Sequence, residues 1–313
     1  MTANNFSPAW KIIAYSAAFF GGTLLFQGGP DAHALRSINQ AWNLGHIIFF
    51  AALAVIFRHH GKKHLPREFV PLAVVLLFLT LAMGSITEII QGYCQRTPDI
   101  LDIWRDCLGT LTALAFLPPT DNFLNPRSQR LFRLLVIVLT IVTLVPLGKA
   151  LVDETVARHQ FPLLADFENP LETGRWERGR INHQLARHGK ASLQVLLTTE
   201  QYSGDSLLYF PPDWSLFSFL HFSIHNGSRQ LLTLVCRIHD RRHSESGNAY
   251  SDRFNRRIIC QPGWNDFTIS LREVEDAPTG RKMDMAAIVN LCIFSVQLPR
   301  AVTIHLDYFY LEK

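Results

Sequence analysis

The sequence is poor in the residues that mark metal-binding and disulfide-rich proteins. It has five cysteines in 313 residues, and they form no Cys-x-x-Cys pair and no Cys/His spacing typical of zinc, so the cysteines predict no zinc site. The Gly-x-Ser-x-Gly, glycine-rich phosphate-loop and His-Glu-x-x-His patterns are absent too, which removes the common signatures of several enzyme classes. The sequence therefore indicates no reaction, and whether the protein is an enzyme stays open.

Charge is also scarce and unevenly distributed. Charged residues make up 18% of the chain and the mean hydropathy is +0.10, which is high for a soluble protein. Up to residue 152 the chain consists of long uncharged runs, whereas residues 153–313 carry mixed charge and short alternating segments. We therefore predict two domains, an all-α transmembrane domain (residues 1–152) and an all-β sandwich (residues 153–313).

Five apolar runs in the first domain predict about five transmembrane helices. Three of them approach the roughly 20 residues that cross a bilayer, and two need short extensions towards the N-terminus to do so. The first run is expected to stay attached, because Lys11 alone precedes it as a basic residue and no convincing cleavage site follows. The runs are Ile12 to Pro30, Ser37 to Phe57, Phe69 to Thr87, Cys107 to Thr120 extended back to Asp99, and Leu134 to Gly148 extended back to Leu131.

Two basic loops predict the topology, because Lys and Arg accumulate on the cytoplasmic side of a membrane. These loops place the N-terminus in the cytoplasm and the C-terminal domain on the extracytoplasmic side of a multi-pass cell-membrane protein. The formal net charge of +4 then reflects topology, so we predict a lipid bilayer as partner and no nucleic acid. The basic residues are Arg58, Lys62, Lys63 and Arg67 in one loop, and Arg127, Arg130 and Arg133 in the other.

Ionisable side chains gather between the third and fourth apolar runs. Such groups cost several kcal/mol at membrane depth unless they pair or face a wet cavity. Glu88 and Gln91 share one helix face because they are three residues apart, and Asp102 and Asp106, four apart, share a face of the next helix. With a histidine of the second run and an arginine of the connection, the predicted polar cluster is His46, Glu88, Gln91, Arg96, Asp102 and Asp106.

Two interpretations of this cluster stay open. In the first, Glu88, Arg96 and Asp102 form a structural ion-pair network that closes a helical hairpin. In the second, the cluster is the site of an intramembrane enzyme or carrier that moves protons or positions a phosphate-linked lipid.

The spacing of the cluster resembles the VanZ-like membrane domain over residues 10–150. Two positions differ from that family: its usual asparagine is Asp106 here, and the Asp-Lys that often precedes the histidine is absent from WNLGH. The family is named after a protein linked to glycopeptide-antibiotic tolerance, so the resemblance implies a role at the cell envelope and no particular reaction. The matching residues are Glu88, Gln91, Arg96, Asp102, Asp106 and Gly109, with His46 upstream.

Short alternating segments predict the strands of the second domain. Gly, Pro, Asn and Asp turns separate them, which is typical of a β-sandwich, and about 150 residues can bury an adequate core. The predicted strands are SLQVLLT, FLHFSIHN, LLTLVCRIHD, NRRIIC, WNDFTISL, NLCIFSVQ and VTIHLDYFYLE.

The order of several motifs in residues 163–312 resembles a carbohydrate-binding module of the galactose-binding-like jelly-roll class. These motifs are LADFENP, GKASLQV, DWS, VCRIHD, YSDRFNRRI, PGWNDFTISL and IHLDYFYLE. The resemblance implies a structural calcium ion near Asp166, Glu168 and Asp307, bound through carboxylate oxygens; a solvated carboxylate is the alternative.

Sugar binding needs aromatic faces and directed hydrogen bonds. The glycan-binding candidates are Trp176, Tyr202, Tyr250, Arg253 and Asn255, although Arg253 could instead hold a loop. Four other aromatic residues, Trp214, Phe222, Trp264 and Phe309, are predicted in the core from their strand patterns. An oxidising compartment could join Cys236 to Cys260, with Cys292 as a buried thiol.

Two functions follow as hypotheses. In the first, a membrane-anchored envelope protein holds an envelope glycan, a glycan-bearing partner or a lipid-linked sugar through the sandwich. In the second, the polar cluster is an intramembrane enzyme or carrier acting on a lipid-linked envelope precursor.

Overall fold

The computed structural model describes residues 8–26, 29–31, 33–61, 63–93, 99–116, 125–245 and 247–313. Contacts divide the chain into a helical unit, residues 1–148, and a β unit, residues 149–313. The first consists of helices and the second of an antiparallel β-sandwich, which confirms the predicted fold class. The exact domain boundary after residue 152 stays a prediction.

The long helices are numbered in chain order. Two of them, α2 and α3, follow one another with a single residue between them. The bounds are α1 Pro8–Phe26, α2 Arg36–Asn43, α3 Gly45–His60, α4 Phe69–Tyr93, α5 Ile100–Phe116 and α6 Pro126–Gln160.

An interruption and a long extension distinguish two of these helices from the apolar runs that predicted them. The second run is interrupted at Leu44, whose N–H donates to the Ala41 carbonyl oxygen at 3.1 Å, three residues back instead of four, a 3₁₀-type bond that tightens the turn. The last helix continues twelve residues beyond Gly148 to Gln160. Charged residues end an apolar run there, but residues such as Lys, Glu and Ala favour continued helix.

Three helical segments of the described chain are long and apolar enough to cross a membrane, namely Arg36–His60, Phe69–Ile90 and Pro126–Gln160. Large apolar side chains on them, such as Phe78 and Ile141, face outwards from the helical unit. Helices α1 and α5 correspond to the first and fourth predicted spans; that they cross a membrane, and the direction of every span, stay predictions.

The β unit contains two antiparallel sheets. The six-stranded sheet has the order β2-β3-β10-β5-β8, with β1 also paired to β10, and the four-stranded sheet has the order β4-β9-β6-β7. All seven predicted strands are present. The bounds are β1 Leu163–Ala165, β2 Arg180–Asn182, β3 Ser192–Leu197, β4 Tyr202–Leu207, β5 Phe219–Asn226, β6 Leu232–Asp240, β7 Phe254–Cys260, β8 Gly263–Ser270, β9 Ile288–Val296 and β10 Val302–Glu312.

The sandwich core follows the two-residue period of its strands. Leu234, Cys236 and Ile238 of β6 point into the core, while Val235 and Arg237 between them lie on the outward face. Apolar side chains of both sheets meet in one buried cluster. This alternation leaves the outward face of the four-stranded sheet available for polar and aromatic side chains.

The end of α6 belongs to the β unit and is fixed by a buried arginine. Arg175 is fully buried and pairs with Asp153 of α6 at 2.9 Å, and it donates to the Leu164 carbonyl oxygen at 3.0 Å. A buried guanidinium without such acceptors would be costly. The helix end and the first strand are therefore tied together through one side chain.

Candidate functional site

The helical unit contains a buried polar cluster built from three helices. His46 of α3 is 0% exposed, and Glu88 of α4 and Asp102 and Asp106 of α5 are also buried. The four-residue spacing places both aspartates on one face of α5, as predicted. The structure therefore brings together four of the six residues of the predicted polar cluster.

The histidine is held between the two aspartates. Its Nδ1 lies 2.8 Å from Asp106 Oδ1, and its Nε2 lies 3.5 Å from Asp102 Oδ2. The short contact assigns the ring proton to Nδ1, since a carboxylate oxygen accepts. The second nitrogen then presents a lone pair towards Asp102 and Glu88.

Two glycines allow the helices to approach closely enough to form this cluster. A Cβ at Gly109 of α5 would overlap the backbone of α3, at 3.0 Å from the Ala51 nitrogen, and a Cβ at Gly84 of α4 would lie 2.5 Å from Asp106 Oδ2. Gly109 was part of the motif that resembles the VanZ-like domain. Its physical role here is close helix contact beside His46.

The arginine that contacts the cluster in the described chain is one that the sequence analysis did not select. Arg105 pairs with Asp102 and lies 3.4 Å from Asp99 Oδ2, and the Asp99 N–H donates to Glu88 Oε2 at 2.8 Å. The three-residue spacing of Asp102 and Arg105 was the available signal. The predicted partner Arg96 and the side chain of Gln91 lie outside the described residues.

A second candidate site lies on the outward face of the four-stranded sheet. It is a cleft of about 370 Å³ whose lining includes Tyr202 and Phe294 from adjacent strands, Arg237 and Arg253. Tyr202 is 61% exposed, and the nearby Tyr250 is 71% exposed. The structure thus gathers most of the predicted glycan-binding residues near one surface.

Guanidinium groups lie over aromatic rings in this cleft. Arg253 stands 5.3 Å from the centroid of Tyr250, and Arg237 stands 5.8 Å from that of Phe294, both within range of a cation–π interaction. A Cβ at Gly204 would come within 2.5 Å of the Cα and Cβ of Phe294. The missing side chain at this position therefore allows the two strands to pack closely here.

Three polar atoms in the cleft or beside it lack hydrogen-bond partners among the described residues. They are Arg237 Nε, Arg253 Nε and Asn255 Oδ1, all buried from solvent, and Arg237 and Asn255 are paired in register on β6 and β7. Burial, together with the like charge of Arg237, lowers the pKa of Arg253. Orphaned buried polar groups are rare, and a ligand with hydroxyl groups would satisfy them.

A short ion-pair network holds the loop that carries Tyr250. Arg281 pairs with Asp240 at the end of β6 and with Asp252, each at 2.6 Å, and both carboxylates accept two guanidinium hydrogen bonds. Bidentate pairs of this kind fix geometry as well as charge. Neither Arg281 nor Arg237 was singled out by sequence, because their partners are distant in the chain: Asp240 is 41 residues from Arg281, and Arg237 pairs in register with Asn255.

Two aromatic predictions are wrong. Trp176 is only 5% exposed and packs between Phe167 and Phe309, with ring centroids 5.7 Å and 5.2 Å away, so its faces are not available to a sugar. Trp264 is on the outward face of the six-stranded sheet, where it contacts His225 at 5.3 Å, because its neighbours in β8 occupy the inward positions. Trp214, Phe222 and Phe309 are buried, as predicted.

The three carboxylates predicted to bind calcium accept hydrogen bonds from backbone N–H groups. Glu168 Oε1 accepts the Lys190 and Ala191 N–H groups at 2.6 and 3.0 Å, and Asp307 Oδ2 accepts those of Arg187 and His188. Asp166 accepts the N–H of Glu168. Burial raises the pKa of Asp307 despite these bonds. Calcium binding by Asp166, Glu168 and Asp307 stays a prediction.

The structure answers the open question of a disulfide between Cys236 and Cys260, which are not joined. Cys236 and Cys260 are free thiols, and both are buried. Cys236 is paired with Arg256, and Cys260 with Leu232, so the two cysteines are four residues apart along the ladder, about 13 Å at 3.3 Å per residue. This spacing exceeds the reach of a disulfide. Cys292 is a buried thiol, as predicted.

No protein-family model matches the chain, and no curated protein matches it, so the resemblance of residues 10–150 to the VanZ-like domain stays a prediction.

Solved structures show a partial likeness to the chain. An exo-beta-agarase has a TM-score of 0.39 and 17% identity, over 48% of this chain and 24% of its own. A family 11 carbohydrate-binding module from Clostridium thermocellum in complex with a β-1,3-1,4-mixed-linked tetrasaccharide has a TM-score of 0.36 and 15% identity, over 48% of this chain and 94% of its own. The CBM22-1 xylan-binding domain from Paenibacillus barcinonensis has a TM-score of 0.32 and 16% identity, over 48% of this chain and 93% of its own. Each of these three similarities covers about half of the chain.

Proposed function

We propose that this protein is a multi-pass membrane protein of the cell envelope that binds a glycan, or a glycan-bearing partner, in the cleft of its four-stranded sheet. The observation that carries the proposal is the combination of two exposed tyrosines with three buried polar atoms that have no partner among the described residues. Sugars offer C–H faces that stack on rings and hydroxyl groups that need directed partners.

The chemistry of the cleft also indicates which glycans are preferred. Arg237 and Arg253 place two guanidinium groups beside Tyr202 and Tyr250. Guanidinium groups bind carboxylates through paired hydrogen bonds. We therefore expect a glycan with uronic acid or other anionic groups to bind more tightly than a neutral one of the same length.

A glycan array tests this proposal on the full-length protein in detergent. The array includes neutral β-glucans, uronic-acid polymers and peptidoglycan fragments, and the variants are Tyr202→Ala, Tyr250→Ala and Arg253→Gln. Phe219→Ala is the matched control, because Phe219 is an exposed aromatic residue of the six-stranded sheet. Binding that is lost in the three variants and kept in the control supports the proposal. Binding that survives all three, or that only the control removes, contradicts it.

The membrane part of the proposal includes an orientation. The N-terminus is cytoplasmic and the β unit extracytoplasmic, which is supported by the basic residues of the loops after α3 and before α6. Reporter fusions after Lys63 and Arg127 are expected to be cytoplasmic, and fusions after Gln95 and Asp153 exported. An exported reporter at Arg127 would contradict the orientation.

A second candidate function is supported by the buried polar cluster of the helical unit. Four ionisable residues from three helices meet there, and such groups mark functional sites in membrane domains. In this hypothesis the protein is an enzyme or carrier for a lipid-linked envelope precursor, as a VanZ-like role at the envelope would imply. Turnover or transport of a labelled lipid-linked sugar, lost in Asp106→Asn, would favour it over simple anchoring.

A further inference from the structure

We infer that the helical unit binds a divalent transition-metal ion of the Zn²⁺ type, with His46, Glu88 and Asp102 as ligands and Asp106 as the residue that orients the histidine. Within the described part of the chain, these three buried residues offer ligand atoms that all lie within 4.8 Å of one another. They come from α3, α4 and α5, so the fold itself assembles the site. This inference does not depend on glycan binding.

The histidine supplies the observation that points to a cation. With its proton on Nδ1 and shared with Asp106, His46 presents an Nε2 lone pair. That nitrogen is buried and has no hydrogen-bond partner among the residues that the structure describes, although Asp102 Oδ2 lies 3.5 Å away. Two acceptors that face each other repel unless a cation lies between them.

The partner of Nδ1 matches a recurring feature of metal sites. Histidines that bind metals almost always donate their other N–H to a carboxylate or carbonyl, which fixes the tautomer and makes the ligand nitrogen more basic. Asp106 makes this contact at 2.8 Å and is completely buried. A histidine that only joined two helices would not need its second nitrogen directed at two further carboxylates.

The two carboxylate ligands are also held in place. Asp102 uses its other oxygen, Oδ1, to accept from Arg105, and Glu88 Oε2 accepts the Asp99 N–H at 2.8 Å. These bonds restrict both side chains. A divalent ion would balance the charge of two carboxylates in a buried setting, where unbalanced charge is costly.

The donor set and its spacing fit Zn²⁺ better than Ca²⁺ or Mg²⁺. A tetrahedral ion with bonds of about 2.0 to 2.1 Å separates its ligands by about 3.3 Å, and the His46 to Asp102 contact is already 3.5 Å. Imidazole suits zinc and related ions, whereas Ca²⁺ and Mg²⁺ prefer oxygen. Three protein ligands leave one position open for water or an anionic oxygen, as in sites that bind a further ligand.

Metal analysis of the full-length protein in detergent tests the inference. After treatment with a chelator, the protein is loaded with Zn²⁺, passed through a desalting column and measured by mass spectrometry of the metal. We expect about one ion per chain, lost in His46→Gln and Asp102→Asn. Asp106→Asn should retain binding with an affinity about 10- to 100-fold weaker, because it removes only the orienting contact.

Matched controls are His64→Gln and Glu68→Gln, which alter exposed residues outside the cluster and should bind Zn²⁺ like the wild type. Binding that persists in His46→Gln, or no ion retained by the wild type, overturns the inference. If the cluster variants do not fold, X-ray absorption of the zinc-loaded wild type decides. One imidazole in a shell of nitrogen and oxygen is expected, whereas a sulfur ligand or several imidazoles would overturn the assignment.

Discussion

The two units place their large apolar side chains in opposite ways. In the helical unit, large side chains such as Phe19 and Phe78 point outwards, while His46 and its carboxylates are buried. In the β unit, Trp214 is in the core, and ion pairs such as Arg187 with Asp266 lie at the surface. The difference teaches what surroundings each surface suits: outward apolar side chains suit an apolar medium such as a lipid bilayer, whereas an apolar core with charges at the surface suits water.

The largest expected effect comes from separating the two units. A fragment of residues 149–313 should be a soluble monomer with the circular dichroism of strands, because its apolar side chains are buried in one core. Residues 1–148 should require detergent, because their apolar side chains face outwards. Gel filtration with and without detergent measures both. Equal solubility of the two fragments in water would contradict the difference in apolar surface between the two units.

A smaller effect is expected from removing the ion-pair partner of a buried carboxylate in the β unit. Asp240 is fully buried, and Arg281 is its guanidinium partner. Arg281→Ala leaves that carboxylate without its ion pair, so the free energy of unfolding of the β unit should fall by about 3 to 5 kcal/mol. Urea unfolding of the 149–313 fragment measures the change.

The control for this prediction is an ion pair at the surface of the same unit. Arg272 and Asp276 lie 4.0 Å apart and are well exposed, so Arg272→Ala should change the free energy of unfolding by less than about 1 kcal/mol. Similar losses in Arg272→Ala and Arg281→Ala would show that burial does not set the cost of a lost charge here.

Most of the fold was predictable from the sequence, because hydrophobic composition and periodicity depend only on residues that are near one another in the chain. The uncharged runs gave the helices, and alternation gave seven strands, from β3 at Ser192–Leu197 to β10 at Val302–Glu312. It missed β4, Tyr202–Leu207, since Gly204 and Asp205 interrupt the apolar pattern. It also missed the end of α6, because apolar length predicts where a span ends but not where a helix ends.

The candidate sites were predicted less completely, for a physical reason. Helical spacing was enough to group Asp102 with Asp106. The partners across the sheet were not predictable, because β9 lies between β4 and β6, and only this pairing brings Phe294 and Arg237 beside Tyr202. Strand order depends on long-range contacts that a single sequence does not reveal.

The ionisation of Asp240 predicts a pH dependence of the stability of the β unit. Although burial opposes ionisation, the bonds from Arg281 and the Asp284 N–H hold the pKa of Asp240 below its ordinary value of 3.8. A lowered carboxyl pKa stabilises the fold above the pKa of the unfolded chain, and this contribution is lost as the pH falls through the folded value.

Asp240→Asn should therefore lower the free energy of unfolding by about 1.5 to 3 kcal/mol at pH 7, and by less at pH 3. The difference between variant and wild type is the quantity to measure, by urea unfolding at several pH values. Buried groups such as Asp205, whose pKa burial raises, act with the opposite sign and cancel in that difference. If the difference in the free energy of unfolding between variant and wild type stays constant down to pH 3, ionisation of Asp240 does not cause it.

The smallest expected effect on stability separates binding from folding. Tyr250 is 71% exposed, and its ring contacts the Arg253 guanidinium, so Tyr250→Ala should change the free energy of unfolding by less than about 1 kcal/mol. Its glycan affinity should nevertheless fall about 5- to 150-fold, because a stacking surface worth about 1 to 3 kcal/mol is lost. Tyr250→Phe keeps the ring and should keep most of the affinity. Affinity that falls equally in both variants would assign the role to the hydroxyl group, and a large loss of stability in Tyr250→Ala would show that the residue holds the loop instead of a ligand.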